Sequence, residues 1–157
     1  MKERIEEEVI ALLKKQGRKI AAAESITGGL IAATLINVAG ASYVIDESFV
    51  TYSNEAKQRR LGVKEETLKN YGAVSEQTAF EMAAGICAAT GADVGIAVTG
   101  IAGPDGGTPQ KPVGLVYVGR SIDGKVDVIE LRLKGSRQEI RDMVVNHALN
   151  FVKEGIF

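Results

Sequence analysis

The stretch KIAAAESITGG, residues 19–29, narrows the range of possible folds more sharply than any other part of the chain. It begins as a nearly all-apolar run, which is typical of a β-strand covered on both faces. It then breaks into a glutamate, a serine, a threonine and two glycines, where alanines and leucines would pack better. The next segment, GGLIAATLINVAG at residues 28–40, returns to helical spacing and is predicted to end at Gly40. A strand, a sharp turn and a helix therefore follow one another directly.

Strand and helix patterns alternate through the rest of the sequence. Helical spacing and terminal glycines predict further helices at residues 5–17, 55–62, 64–72, 76–91 and 136–155. Ser53 or Asn54 is the predicted cap of the second of these and Ser75 that of the fourth, and Ser136 with Glu139 forms a capping box for the last. Apolar and β-branched runs predict further strands at residues 43–53, 93–100, 113–121 and 126–135, the last two joined by a hairpin turn at Asp123 and Gly124. This order predicts an α/β fold, a single-domain three-layer αβα sandwich with a mixed, mostly parallel sheet.

The overall composition limits what the chain binds. Its 157 residues suffice for one domain with its own core, and a formal net charge of −1 gives no sign of a nucleic-acid patch or of general attraction to a membrane. A single cysteine, Cys87, excludes an intrachain disulfide and favours a reducing compartment. The amino terminus lacks a secretory pattern and no apolar run reaches membrane-spanning length, so we expect a cytoplasmic protein.

Three polar stretches fall directly after predicted strands. They are ESITGG at residues 24–29, TYSNEAK at residues 51–57 and TGIAGPDGG at residues 99–107. In open α/β sheets, ligands bind beyond the carboxyl ends of the strands, where helix N-termini present unpaired N–H groups. We therefore expect one pocket built from all three stretches.

Several kinds of chemistry are disfavoured at such a pocket. The only histidine, His147, lies in the last predicted helix at the expected edge of the core, so a serine–histidine–acid triad would need that helix to reach across. One histidine and one cysteine cannot form a nitrogen and sulfur metal cage, and the PDGG loop lacks the acids of a calcium loop, although carboxylate-bound magnesium stays open. The glycine-rich loop matches neither the P-loop nor the dinucleotide fingerprint, which leaves a generic anion cradle.

Ser25 with a lysine base is the remaining route to nucleophilic catalysis. Lysine serves as a base when burial or neighbouring cations lower its pKa, because a neutral amine can then take the hydroxyl proton. Lys57 is the candidate, since it follows a predicted strand at the start of a helix and is flanked by Arg59 and Arg60. A solvated helix position for Lys57 and a simple helix-cap role for Ser25 and Thr27 are the competing interpretations.

Five motifs in a fixed order resemble the nicotinamide-nucleotide amidase family, in the form of a stand-alone CinA carboxy-terminal domain. They are AESITGG, FVTYSNEAKQRRLGV, GAVSEQTA, TGIAGPDGGTPQKPVGLVYV and GSRQEIR. The resemblance implies one amidase domain over residues 1–157 that hydrolyses the carboxamide of nicotinamide mononucleotide to nicotinic acid mononucleotide and ammonia, in pyridine nucleotide recycling, with no metal or other cofactor. Larger members carry a further amino-terminal domain, and we expect any activity of that domain to be absent here.

The resemblance also implies roles for individual residues. It assigns the activity to Ser25, Lys57, Thr99 and Arg137. Ser25 is expected to be the nucleophile, Lys57 the base, and Thr99 the residue that holds one of them in its productive rotamer. Arg137 is expected to bind the phosphate, with Arg141 one helical turn later as the alternative. A structural hydroxyl at Thr99 and a solvent-exposed Arg137 are the competing interpretations.

The remaining expected contacts surround the substrate. Backbone N–H groups of the Thr27–Gly29 turn or the Gly100–Gly103 loop are expected to stabilise the oxyanion, and Tyr52 and Asn54 to contact the pyridinium ring and the amide. The predicted substrate-binding residues are therefore Thr27, Gly28, Gly29, Tyr52, Asn54, Gly100, Ala102, Gly103 and Arg137. Ordinary strand packing is the competing interpretation of Tyr52.

Two other functions stay open. A non-catalytic nucleotide-binding or protein-interaction domain, linked to competence or DNA damage, would keep the pocket but has no need for a nucleophile and a base. A related amidohydrolase would act on another pyridine carboxamide. We also expect a homo-oligomer, a dimer or higher, because the predicted strand at residues 126–135 suits a sheet edge.

Overall fold

A computed structural model describes residues 2–157. Its helices are α1 (Ile5–Gln16), α2 (Leu30–Ile36), α3 (Asn54–Leu61), α4 (Glu65–Tyr71), α5 (Glu76–Thr90) and α6 (Arg137–Ile156). Its strands are β1 (Ile20–Glu24), β2 (Phe49–Val50), β3 (Val94–Gly100), β4 (Leu115–Ile122) and β5 (Lys125–Arg132). Apart from two segments discussed below, the predicted elements are confirmed with small shifts at their ends.

The strands described within residues 2–157 form one mixed sheet in the order β2-β1-β3-β4-β5. β1 pairs in parallel with β2 and with β3, whereas β4 pairs antiparallel with β3 and with β5. β1, β2, β3 and β5 therefore point the same way and β4 opposes them, which confirms a mixed, mostly parallel sheet. The hairpin between β4 and β5 turns at Asp123 and Gly124, and both have the positive φ that this kind of turn requires.

Helices cover both faces of the sheet, which confirms the predicted three-layer sandwich. The first face packs against α1, α2 and α6 through a large apolar cluster that includes Leu35 and Leu149. The second face packs against α3, α4 and α5 through a smaller cluster that includes Leu61 and Met82. Burial of these side chains is the main force that holds the layers together.

The predicted strand at residues 43–53 is wrong for most of its length, because β2 contains only Phe49–Val50. β2 is an edge strand that pairs with β1 alone among the described strands, so no second neighbour extends its ladder. Before it, Val44 is buried in the core of the first face, and Ser48 accepts a hydrogen bond from Ala22 N through its side-chain oxygen (3.0 Å). The apolar pattern that predicted a strand therefore reflects the packing of an irregular segment.

The helix predicted to end at Gly40 ends earlier. α2 stops at Ile36, with Asn37 as its C-cap. Gly40 has φ of 89° and leads into a short 3₁₀ helix at Ala41–Tyr43. The glycine is a stop signal in the left-handed region, but it serves the turn after the helix rather than the helix itself.

The last helix, α6, is long and two-sided. Its buried side chains join the core of the first face, whereas His147 is exposed rather than at the edge of the core. Within residues 2–157, none of the helices combines the length and the apolar character needed to cross a membrane.

Candidate active site

A cleft of about 520 Å³, its open mouth included, lies beyond the carboxyl ends of β1, β2 and β3. Its walls come from the turn after β1, the start of α3, the α4–α5 connection, the end of β3 and the start of α6. The lining residues are Ser25, Ile26, Tyr52, Lys57, Ala73, Val74, Thr99, Gly100, Ala102 and Arg137. The prediction that the three polar stretches build one pocket is confirmed.

Ser25 is the first residue after β1 and is 8% exposed. Because side chains alternate along a strand, Glu24 points toward α2, where it bonds to Ile31 N, and Ser25 points toward α3 on the opposite face. Gly28 N donates to Ser25 O (3.1 Å), and both Gly28 and Gly29 have positive φ (58° and 107°). Glycine adopts these conformations without steric cost, so the chain turns sharply into α2 directly after the serine.

Lys57 extends from the first turn of α3 toward the serine. The predicted cap at Ser53 begins this helix. The Lys57 side chain is 1% exposed, and its Nζ lies 3.1 Å from Ser25 Oγ, 2.9 Å from Thr51 O and 3.2 Å from Tyr52 O. No carboxylate within residues 2–157 forms an ion pair with this amine.

Burial lowers the pKa of the Lys57 amine from its ordinary 10.5 to about 8. The neighbouring cations invoked from the sequence, Arg59 and Arg60, are exposed and do not contribute to this shift. That part of the sequence interpretation is wrong, because the two guanidinium groups point into solvent, where water screens their charge.

The three oxygens around Lys57 Nζ can accept from the three N–H groups of an ammonium, and they also accommodate the neutral amine that the lowered pKa makes available. Such an amine has two N–H donors and one lone pair. The carbonyls of Thr51 and Tyr52 accept hydrogen bonds but cannot donate, so they take the two N–H groups. The lone pair then faces Ser25 Oγ, which is the one neighbour of the three with a proton to give. The arrangement can therefore draw the proton from the serine hydroxyl.

Thr99, near the end of β3, is 1% exposed. Its Oγ1 donates to Ala73 O (2.8 Å), and in the described structure it has no hydrogen bond to Ser25 or Lys57. The expected direct hold on one of these two residues is therefore not seen. Thr99 instead fastens β3 to the α4–α5 connection, which forms one wall of the cleft.

Arg137, the first residue of α6, closes the wall opposite Lys57. Its Nη1 donates to Gly103 O (2.8 Å), and its Nη2 lies 3.4 Å from the hydroxyl of Tyr52. A guanidinium has five N–H donors, so these two contacts leave others for an anion. Tyr52 is 65% exposed and is also one of the residues that line the cleft.

Arg141 lies behind the turn that carries the serine. Its Nε donates to Ile26 O (3.0 Å) and its Nη2 to Thr27 O (3.2 Å). A Cβ atom on Gly28 would lie 3.4 Å from the same Nη2. Arg137 rather than Arg141 therefore lines the cleft, and Arg141 fixes the shape of the turn.

Five predicted binding residues lie outside the lining of the cleft: Thr27, Gly28, Gly29, Asn54 and Gly103. Thr27 is fully buried and its hydroxyl donates to Glu24, while the two neighbouring glycines shape the turn. Asn54 is exposed as the first residue of α3. Gly103 contributes its carbonyl to Arg137.

Three lining residues, Ile26, Ala73 and Val74, are absent from the sequence prediction. Ala73 and Val74 lie within GAVSEQTA, one of the five motifs, so the motif was the available signal. Their apolar side chains gave no chemical reason to choose them. Ile26 follows Ser25 directly, and its apolar side chain is typical of a core residue.

The charges at the cleft have one sign. The charged side chains among its described lining residues are Lys57 and Arg137, so the cleft favours an anionic ligand. Across residues 2–157, no group of three histidine, cysteine, aspartate or glutamate side chains is placed to hold a metal ion.

Known proteins of one kind resemble this chain over nearly its whole length. Residues 2–156 match the family described as CinA C-terminal domain. The chain is 54% identical over 154 residues to a CinA-like protein of Kosmotoga olearia, and the match covers 98% of this chain and 37% of that relative. The chain thus spans about 37% of the length of the curated relatives it matches.

Solved structures are similar as well. The competence/damage inducible protein CihA from Agrobacterium tumefaciens superimposes with a TM-score of 0.92 at 44% identity, over 99% of each chain. The competence or damage-inducible protein from Enterobacter asburiae superimposes with a TM-score of 0.94 at 33% identity, over 99% of this chain and 100% of that one.

Proposed function

The chain belongs to the CinA C-terminal domain family, and we propose that it hydrolyses the carboxamide of nicotinamide mononucleotide to nicotinic acid mononucleotide and ammonia. The proposal treats residues 1–157 as one amidase domain, with Ser25 as nucleophile and Lys57 as general base, without a metal. One observation carries it: the buried Lys57 amine lies 3.1 Å from Ser25 Oγ at an open cleft, with no carboxylate ion-paired to it in the described chain. Isolated amines are buried at a cost, and a function explains that cost.

Acylation starts with Lys57 in its neutral form. Ser25 Oγ attacks the carboxamide carbon as its proton passes to Lys57 Nζ, and the carbonyl electron pair moves onto oxygen. When this tetrahedral intermediate collapses, the C–N bond breaks and Lys57 returns the proton to the nitrogen, which leaves as ammonia. The product is an ester between Ser25 and the nicotinoyl group.

Deacylation repeats these steps with water. Lys57 takes a proton from a water molecule, whose oxygen attacks the ester carbon. Collapse of the second tetrahedral intermediate breaks the bond to Ser25 Oγ, and Lys57 returns the proton to that oxygen. The enzyme is then restored, and the product acid loses the remaining proton of the water to solvent and is released as its carboxylate.

The oxyanion of each intermediate needs donors that are already in place. Gly28 N is committed to Ser25 O, and Ile101 N to Leu115 O. The N–H groups of Ile26 and Ala102 have no acceptor in the described chain, and both residues line the cleft. The proposal assigns the oxyanion to these two N–H groups, at roughly 3 to 4 kcal/mol of transition-state stabilisation for each donor.

The rest of the substrate meets the mouth of the cleft. Arg137 binds the phosphate with the N–H groups that Gly103 O and Tyr52 do not use. The face of Tyr52 is the neighbour of the positively charged pyridinium ring. Gly100 lies at the end of β3, where a Cβ atom would lie 2.6 Å from Val116 Cγ2, so its lack of a side chain serves the packing against β4. The exposed Asn54 receives no contact in this proposal.

Ammonia release tests the proposal directly. The purified protein is incubated with nicotinamide mononucleotide and a chelator, beside Ser25→Ala and the control Ser121→Ala. Ser121 is also a buried serine, 2% exposed, but it lies in β4 away from the cleft. We expect release by the wild type and the control only. Release by Ser25→Ala at the wild-type rate would remove the nucleophile assignment.

A second candidate function follows from the names of the similar proteins, which refer to competence or damage. In that case the domain binds a nucleotide or a protein without catalysis. Binding of nicotinamide mononucleotide by calorimetry, with no ammonia released, would favour it. Release from the free base, the riboside or the dinucleotide instead would indicate an amidohydrolase for another pyridine carboxamide. A homo-oligomer and a cytoplasmic location stay predictions, and light scattering would test the first.

A further inference from the structure

A buried carboxylate lies directly behind the proposed nucleophile. Glu24, the last residue of β1, is 0% exposed. Its Oε1 accepts hydrogen bonds from Thr27 Oγ1 (2.5 Å) and Ile31 N (2.8 Å), and its Oε2 accepts one from Ala32 N (3.0 Å). Both oxygens accept from backbone N–H groups, and Oε1 also accepts from a hydroxyl, so the side chain acts as a hydrogen-bond acceptor through both of its oxygens. No cation within residues 2–157 forms an ion pair with it.

This arrangement is costly for a strand end. A fully buried carboxyl group is tolerated when protein hydrogen bonds replace those it would make to water. The first turn of α2 does not obtain a cap in the usual way, because its N-cap residue is Gly29, which has no side chain. Glu24 supplies the missing acceptors from the strand, across the turn, and thereby fixes the five residues between itself and α2.

The main chain of Glu24 reaches the second member of the proposed pair. Thr51 N donates to Glu24 O (2.8 Å), and Thr51 O in turn accepts from Lys57 Nζ (2.9 Å). Ser25 follows Glu24 directly in the chain. Glu24 therefore contacts the surroundings of both the nucleophile and the base. Its side chain holds the turn that carries Ser25, and its carbonyl binds Thr51, whose own carbonyl binds Lys57.

We propose that Glu24 is a positioning residue for the Ser25–Lys57 pair: its carboxylate locks the turn onto α2 so that Ser25 Oγ stays within reach of Lys57 Nζ. Glu24 does not touch the substrate and does not tune the lysine by charge. Burial is the one cause of the lowered Lys57 pKa, and no carboxylate contributes to it.

The inference rests on the proposed function for its nucleophile but not for the substrate. Labelling of Ser25 by a fluorophosphonate therefore tests the inference without any amide substrate. Ser25 Oγ attacks phosphorus, the P–F bond breaks as fluoride leaves, and Lys57 takes the hydroxyl proton. The rate of this reaction, followed by intact mass, measures how well the pair is placed.

The matched control is a second carboxylate cap. Glu81 accepts hydrogen bonds from Lys64 N (2.9 Å) and Thr67 Oγ1 (2.6 Å) at the start of α4, away from the cleft. Glu24→Gln and Glu81→Gln both place an amide N–H₂ against a former donor. We expect Glu24→Gln to slow fluorophosphonate labelling and kcat by about 100-fold, the effect of a small misplacement, with KM within about threefold.

The control separates positioning from stability. Glu81→Gln is expected to lower Tm while its labelling rate and kcat stay within about twofold of wild type, since this half-buried cap holds the start of α4, away from the cleft. The pH at which labelling reaches half its maximum should stay near that of the wild type in Glu24→Gln. Equal rate losses in the two variants, or a displaced pH midpoint in Glu24→Gln alone, would overturn the positioning role.

A second pair covers the case in which Glu24→Gln does not fold. Thr27→Ser keeps the hydroxyl that donates to Glu24, and Thr27→Val removes it. We expect slower labelling in Thr27→Val and a near wild-type rate in Thr27→Ser, whereas equal rates would contradict the inference. If wild type releases no ammonia but labels at Ser25 in a Glu24-dependent way, the substrate fails and the positioning role stands. If Ser25 of the wild type does not react, the positioning role fails too.

Discussion

β1 has a lysine at each end, and the two lysines have opposite surroundings. Lys19, just before the strand, has a side chain that is 46% exposed and lies 2.7 Å from Asp46 Oδ1. Lys57 reaches the other end of the strand, where it is 1% exposed and faces two carbonyls and a serine. Lys19 is an ammonium that is exposed to water and paired with an acid, whereas the Lys57 amine is buried away from water and has no acid paired with it among the described residues.

The difference extends to the two edges of the sheet. At the amino edge of β1, Asp93 accepts a hydrogen bond from Lys19 N, and Arg18 pairs with Asp123. At the carboxyl edge, the charged residues among those lining the cleft are cationic. Lys19 therefore stays an ammonium beside an acid, whereas Lys57, which reaches the other end of β1 from α3, has a lowered pKa and is more readily available as a neutral amine. The absence of a paired carboxylate within the described residues leaves the Lys57 amine free to act as the proposed general base.

Replacing each lysine by methionine gives the largest expected contrast. Lys57→Met should lower kcat by about 1,000-fold at every pH, because the general base is gone. Lys19→Met should stay within about twofold, since an exposed ion pair contributes little. Steady-state ammonia release measures both. Similar kcat values for the two variants would contradict the proposal that Lys57, unlike Lys19, acts as a general base.

The pH dependence of stability sharpens the same contrast. The folded pKa of Lys57, about 8, is below the unfolded value of 10.5, so the unfolded chain binds more protons between these values. The free energy of unfolding should therefore rise with pH across this window, by up to about 3 kcal/mol relative to Lys57→Met.

Urea unfolding from pH 7 to pH 10.5 provides the measurement, with Lys19→Met as the control that keeps the wild-type slope. Parallel curves for wild type and Lys57→Met would mean that the lysine is not desolvated.

The arginines of the two edges form the next comparison. Arg137→Ala should raise KM for nicotinamide mononucleotide by roughly 10-fold to 100-fold, the loss of a charged hydrogen bond, with little change for the riboside, which has no phosphate. Arg18→Ala at the other edge should leave both substrates unaffected. An equal rise in KM for the mononucleotide and the riboside would remove the phosphate role of Arg137.

The smallest effect is expected from the threonines. Thr99→Val removes the bond to Ala73 O and should cost about 1 kcal/mol of stability together with a few-fold loss of kcat, because a wall of the cleft loosens. Thr90→Val, near Lys19, removes a similar bond to Ile86 O (2.7 Å) and should affect stability alone. Thermal unfolding and kcat together check this, and an unchanged kcat in Thr99→Val would make its hydroxyl purely structural.

The fold was largely predictable because its signals are local. The turn at Asp123 and Gly124, the caps at Ser53 and Ser75, and the capping box at Ser136 all act within a few residues and are found where predicted. The predicted strand at residues 43–53 failed because its apolar pattern does not distinguish pairing in a sheet from packing beneath one.

The candidate site was predictable in its composition but less so in its contacts. The rule that ligands bind at the carboxyl ends of parallel strands brought Ser25, Lys57 and Thr99 together correctly. The partner of the Thr99 hydroxyl, the cause of the Lys57 pKa shift and the orientation of Arg141 were missed. Each depends on a backbone carbonyl, or on burial, contributed by residues that are distant in the sequence.

The three layers, the turn at Gly28 and Gly29, and the residue types available at the cleft all follow from the amino-acid sequence. Hydrophobic period, caps and glycine conformations act between neighbours, so they can be read along the chain. The desolvation of Lys57 depends on the folded packing, in which α3 lies against α5 and Lys57 Nζ is enclosed by the β2–α3 connection and the turn after β1. Desolvation is a sum over all surrounding atoms, and that sum exists only when the chain is folded.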